Sequence, residues 1–89
     1  MLRPAATRQF ARDRKRAARR RQEIAKLDAV MARLAREERL DRRYHVHRLS
    51  GEYVGYWECH IETDWLLIWY TTPKEIVFVR TGSHADLFG

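Results

Sequence analysis

"YWECHIETDWLLIWYTTPKEIVFVR" (residues 56–80) decides the fold. Within it "YWECHIE" alternates apolar and polar residues, "WLLIWY" is almost wholly apolar, and "EIVFVR" is rich in β-branched residues. Glu62-Thr63 and Thr72-Pro73 punctuate the three runs, and Ser50-Gly51 marks a turn upstream. Short runs of period two separated by turn residues are the pattern of antiparallel strands. With Glu62-Thr63 as a two-residue loop, Cys59 pairs with Leu66 and His60 with Trp65. A second loop over residues 71–74 pairs Leu66 with Val79 and Trp65 with Arg80. One face then carries Trp57, Cys59, Ile61, Leu66, Ile68, Val77 and Val79 as a core, and the other a row of His60, Trp65 and Arg80. A slip of one residue at either turn exchanges the faces.

Upstream the period changes. Residues 7–39 contain no Gly or Pro and are dominated by Ala, Arg, Glu, Lys and Leu, which is helix composition. Ile24, Leu27, Met31 and Leu34 recur at steps of three and four, an amphipathic stripe; Phe10, Ala17 and Ala18 form a weaker one. One helix of this length would span roughly 50 Å, too long for so small a globule. Two antiparallel helices, broken near residues 19–23, are expected. Helices first and strands afterwards predict an α+β fold, with two N-terminal helices packed on one face of an antiparallel sheet. The expected layout is a single domain over 1–89: helical over about 7–39, antiparallel strands over about 44–81, and a C-terminal turn over 82–89.

Bulk properties narrow the function. A chain of 89 residues buries only about 60% of its unfolded surface. The single cysteine, Cys59, excludes an internal disulfide. No apolar run approaches the ~20 residues that span a bilayer, and "MLRPAATRQF" lacks the apolar block of a signal peptide, so a soluble cytoplasmic protein is expected. The net charge of +6 is divided unequally. Residues 1–43 hold 15 Lys+Arg against 6 Asp+Glu, and residues 44–89 hold 3 against 6. The cluster "RDRKRAARRR" (12–21), containing Arg19, Arg20 and Arg21, is a candidate phosphate-binding arm. A solvated helix face is the plainer explanation of such a run.

Four histidines, His45, His47, His60 and His84, supply the titratable chemistry. RNA cleavage without metal needs a base for the 2′-hydroxyl, an acid for the leaving oxygen, and cations for the phosphorane. Histidine serves as either acid or base near neutrality, and arginine supplies the charge. Trp65 and Phe88 are of the type that stacks a splayed base. Each has a plainer reading too: His45 as a surface residue, Asp64 as a turn residue, Trp65 and Trp69 as sheet packing, Cys59 as an inert core thiol. A zinc site from His45, His47, Cys59, His60 and Asp64 lacks support from a CxxC pair or a helical HExxH.

Three stretches, "YHVHRLSG" (44–51), "ECHIETDWLLIW" (58–69) and "RTGSHADLFG" (80–89), follow in order, at matching spacing, the motifs of one known family. About half of the chain resembles the YafQ-type toxins of the RelE superfamily, mRNA interferases of type II toxin–antitoxin pairs. The resemblance implies a RelE-like α+β fold and ribosome-dependent cleavage of mRNA in the A site by metal-independent acid–base transesterification, without cofactor. It places active-site roles on His47, His60, Asp64, Trp65, His84 and Phe88, with Arg80 as the cation. It further implies a cognate antitoxin, acidic-tailed and DNA-binding of ribbon-helix-helix type, the 70S ribosome and mRNA as partners, and contact with DNA only through the antitoxin complex. Three positions depart from the family pattern: Val46 replaces an Asp, Thr63 a Pro, and Trp57 an Arg. The alternative of another class is a non-catalytic basic module that blocks translation by occupying the ribosome.

Overall fold

The architecture follows from two helix stops that the sequence does not advertise. A computed structural model describes residues 1–89. Helix α1 (Arg8–Arg19) starts at Thr7, whose side-chain oxygen accepts the Phe10 N–H at 2.9 Å while its hydroxyl donates to the Val79 carbonyl at 2.8 Å. The helix ends with Arg21 in the left-handed region (φ 60°). There the Arg21 N–H donates to Ala18 O and the Gln22 N–H to Ala17 O, the paired bonds of a Schellman stop. Helix α2 (Ile24–Ala35) ends the same way at Glu37 (φ 61°), four residues earlier than the composition suggests. Glycine normally occupies such positions; Arg21 and Glu37 hide both stops.

Five strands form one sheet in the order β1-β5-β4-β3-β2, from β1 (Arg3–Ala6), β2 (His47–Arg48), β3 (Trp57–Glu62), β4 (Trp65–Thr71) and β5 (Glu75–Gly82). Strands β2 to β5 are antiparallel, as expected. Strand β1, which the sequence reading leaves out, pairs parallel with β5. Strand β2 holds only two residues, flanked by 3-10 turns at Arg42–Tyr44 and Gly51–Tyr53. The chain tip is a one-turn helix, α3 (His84–Phe88), where a simple turn is expected.

The expected register is wrong by one residue at the first hairpin and by more at the second. Thr63-Asp64 is the loop, so Glu62 pairs with Trp65, and a bulge between His60 and Glu62 leaves Cys59 opposite Leu67. A second irregularity at Ile68/Trp69 sets Ile68 opposite Arg80 and Leu66 opposite Gly82. Because strand side chains alternate, these shifts exchange the faces of β4 and part of β5. Trp57, Cys59 and Ile61 face the helices as expected. Beside them lie Trp65, Leu67, Trp69, Ile76 and Phe78, packed on Phe10, Ala17, Leu27 and Val30. Leu66, Ile68 and Val79, expected there, instead build a second cluster on the opposite face with Leu87, Leu49, Tyr53 and Tyr56. Val77, between inward Ile76 and Phe78, also points away.

Candidate active site

Around β3, near the sheet edge, four imidazoles converge. His60, on β3, is at the centre. Its ring centroid lies 5.3 Å from that of His45, 6.4 Å from His47 and 5.9 Å from His84. Burial is the main cause holding its pKa below the usual imidazole value; the neighbouring His45, His84 and His47 add to this, while Glu58 acts against it. His60 is thereby kept neutral near neutral pH.

His84 opens α3, and Asp64 in the β3–β4 loop fixes it twice. One carboxylate oxygen accepts the His84 backbone N–H at 2.8 Å and lies 2.6 Å from the ring Nδ1. An Nδ1–H donating to the carboxylate leaves Nε2 open on an exposed ring. The same two hydrogen bonds hold the Asp64 carboxyl below its ordinary range. Asp64 is thus both turn residue and histidine orienter.

The tip around His84 is braced from α1. Ser83 and Asp86 form a capping box: the Ser83 Oγ accepts the Asp86 N–H at 3.1 Å, and the Asp86 carboxylate accepts the Ser83 N–H at 2.9 Å. Arg20 grips that carboxylate through Nη1 at 2.8 Å and Nη2 at 3.3 Å. This grip is the main reason Asp86 stays ionised far below the usual carboxylate range. Gly82 is required by proximity, since a Cβ there would sit 2.9 Å from both the Asp86 Cβ and Arg16 Nη2. Leu87 is buried in the second cluster, leaving Phe88 51% exposed and edge-on to Tyr53 at 5.7 Å.

Arg80 is held from behind by Asp13, a residue the sequence reading passes over. The Asp13 side chain is fully buried and accepts from Arg80 Nε at 2.7 Å, Arg80 Nη2 at 3.2 Å and the Thr81 N–H at 3.1 Å. Gln9 and Arg16 complete its shell at 3.1 and 3.2 Å. The carboxylate raises the Arg80 pKa, and Nη1 remains outside the fork. No motif signals Asp13; its one legible mark is an acidic residue on the apolar side of α1, three residues after Phe10.

Glu58 is the second omission. It is 4% exposed, places Oε1 3.2 Å from His47 Nε2 and 4.0 Å from His60 Nε2, and leaves Oε2 buried without a partner. The other His47 nitrogen, Nδ1, meets the His45 carbonyl at 2.6 Å. Both nitrogens of His47 therefore face oxygens. The carboxylate that Val46 fails to provide beside this histidine is supplied across the strand pair, where His47 faces Glu58.

Trp65 does not belong to this surface. It is 1% exposed on the helix side of the sheet, with its indole N–H donating to Thr81 Oγ1 at 3.0 Å, so no ring face is open to a base. The register shift that exchanged the faces of β4 carried it inward. Of the arginine trio, Arg20 is committed to Asp86, while Arg19 and Arg21 are exposed and without a carboxylate partner. Cys59 is buried, which pushes its thiol up to about 12 and leaves it unreactive. No helix is long and apolar enough to cross a membrane.

Known proteins match the chain over nearly its whole length. The family model "Bacterial toxin of type II toxin-antitoxin system, YafQ" matches residues 2–89. The mRNA interferase toxin YafQ of Escherichia coli K12 is 40% identical over 82 residues, covering 91% of this chain and 89% of the relative. A crystal structure of YafQ from E. coli BL21(DE3) superposes with a TM-score of 0.94 at 36% identity, and YafQ in the E. coli DinJ–YafQ complex with 0.92 at 37%, each over the full length of both chains. The fold, the order of the motifs and these matches agree: the chain belongs to the YafQ family of bacterial toxins of type II toxin–antitoxin systems.

Proposed function

We propose that this toxin is an endoribonuclease, an mRNA interferase that cleaves mRNA in the A site of the 70S ribosome by acid–base transesterification, with no catalytic metal. The observation that carries the reading is the pairing of a neutral, partly buried His60 with an exposed His84 whose Nδ1 is occupied by Asp64. Two histidines in different environments divide base from acid. His60 removes the proton of the 2′-hydroxyl, and that oxygen attacks the adjacent phosphorus. His84, its imidazolium stabilised by Asp64, delivers a proton from Nε2 to the departing 5′-oxygen. The products are a 2′,3′-cyclic phosphate and a 5′-hydroxyl. The Nη1 end of Arg80 stabilises charge on the phosphorane, and His47, held by Glu58, shares the base side of the site with His60. Phe88, exposed beside His84 at a ring distance of 6.4 Å, stacks a base.

A cognate antitoxin with an acidic tail and a DNA-binding domain of ribbon-helix-helix type fits the basic outer face of α1, where Arg8, Arg12, Lys15 and Arg19 are exposed or partly exposed. E. coli YafQ forms a toxin–antitoxin complex with DinJ. The same face suits ribosomal RNA.

End-group analysis of mRNA cleaved on ribosomes tests the chemistry. Ends with 5′-hydroxyl and cyclic or 3′-phosphate are expected; 5′-phosphate ends, which imply an activated water, overturn it. His84→Gln is expected to cost about 10²–10⁴-fold in rate while moving stability by no more than about 0.5 kcal/mol.

A further inference from the structure

Strand β2 covers β3 only at Trp57 and Glu58, so the rest of that edge carries no strand. The 3-10 turn at Arg42–Tyr44 lies over it on one side and α2 stands on the other. Between them is a cleft of about 590 Å³, lined by Lys26, Val30, Arg43, Tyr44, His45 and His60. We propose that this cleft is a nucleotide subsite that receives the RNA residue adjoining the scissile phosphate. The proposal rests on the RNA-cleaving reading above and deepens it.

The lining has the composition of a base and phosphate site. Buried Val30 and Ile61 provide an apolar floor, with half-buried Tyr44 beside it. Exposed Lys26, Arg43 and His45 form the rim. Arg43 has no carboxylate within ion-pair range. Its guanidinium lies 5.0 Å from the Tyr44 ring centroid, and its Nη2 donates to the Tyr44 hydroxyl at 3.1 Å. The cleft's one carboxylate, Glu62, is neutralised by Lys26 at 3.3 Å. Aromatic and guanidinium planes stack splayed bases, and cations hold the phosphate. The volume lies within the range of small-ligand sites.

Two features join the cleft to the catalytic cluster. His60 is a wall of both. His45 is held in the left-handed region (φ 48°), a conformation costly for a non-glycine residue and concentrated at functional sites. It turns the ring towards His60, at 5.3 Å. A nucleotide here touches the same imidazole as the reacting phosphate, so it is the immediate neighbour of the cut. The rim offers cations and rings rather than an apolar strip, which favours RNA over a protein segment.

The test uses two exposed residues whose loss leaves the core intact, Arg43→Gln and His45→Ala. Wild-type protein is first titrated with a 2′-O-methyl RNA trinucleotide, which lacks the attacking hydroxyl, while NMR signals of Tyr44, His45 and Ile61 are followed. Shifts at these positions that Arg43→Gln weakens support the subsite; shifts confined to the His84–Phe88 tip overturn it. On programmed ribosomes, both variants should raise KM about tenfold and lose base preference at one position flanking the cut, and Arg43→Gln should keep kcat within about threefold. Unchanged KM and preference beside an active wild type overturn the subsite and leave the ribonuclease reading standing. Variants that lose only antitoxin affinity also overturn it, in favour of a protein ligand. A wild type that binds the trinucleotide in the cleft but cuts nothing supports the subsite and removes the catalytic reading.

Discussion

Arg80 and Asp13 meet through two hydrogen bonds, Nε at 2.7 Å and Nη2 at 3.2 Å, around a carboxylate with no solvent exposure. They lie 67 residues apart in sequence, and their pairing locks α1 to the strand that delivers the tip. Removing one partner of a buried ion pair leaves the other charge uncompensated. Arg80→Gln is therefore expected to destabilise the fold by about 3 kcal/mol, tempered by the donors from Thr81, Gln9 and Arg16 that remain. Denaturant midpoints for Arg80→Gln beside His84→Gln check this; equal midpoints contradict a structural role for the pair. The same experiment warns that loss of toxicity in an Arg80 variant is not by itself evidence of catalysis.

Trp65 is expected to behave as a core residue. Trp65→Phe keeps most of the volume and loses the bond to Thr81 Oγ1, a cost of about 1–2 kcal/mol, whereas Trp65→Ala opens a cavity costing about 3–5 kcal/mol. Ribosome affinity of folded Trp65→Phe should match the wild type. A tenfold loss of affinity in a variant with native melting behaviour would return this ring to the RNA-binding surface.

The pH dependence of cleavage should carry the mark of His60. Glu58, His45, His47 and His84 all face this ring, and burial is the largest influence, so its proton is lost at a pH below 6.5. As a base it must be neutral, so the rate should rise with pH on an acid limb whose midpoint lies below 6.5. Glu58→Gln removes the one neighbour that favours the protonated ring and should shift the limb further towards acid. Rate profiles of single-turnover cleavage measure both; an acid limb at or above 6.5 assigns the base elsewhere. The effect on stability has the same direction. The unfolded chain takes up the proton more readily, so this histidine's contribution falls as pH drops from 6.5 towards the folded value.

The arginine trio should divide by partner. Each phosphate contact adds roughly 0.7–0.9 to the salt slope of binding. Arg19→Gln with Arg21→Gln should therefore flatten the slope of ribosome affinity, up to about two such contacts. Arg20→Gln instead releases Asp86 and loosens the tip, lowering the cleavage rate with a smaller change in slope. Equal slopes for the two variants would make the trio one undivided surface.

The sequence alone determined the kinds of the main elements and which residues are chemically able to act as acid, base or cation. Period 3.6 over Ile24, Leu27, Met31 and Leu34, and period two across residues 56–80, are local patterns that a backbone can satisfy in few ways. The grouping of His60, Asp64, Arg80 and His84 was readable through the motifs that carry them, because each motif sits at a strand end or turn. Tertiary structure decided the rest. The helix stops at Arg21 and Glu37 use left-handed residues without glycine, so packing and hydrogen bonds rather than propensity enforce them. Bulges shifted the register, and since side chains alternate, one residue of slip was enough to send Trp65 inward and Leu66 outward. Asp13 and Glu58 draw no assignment from the sequence; only the fold buries them beside Arg80 and His47. Burial and partnership are properties of the assembled chain, because each depends on atoms that sequence distance does not bring together.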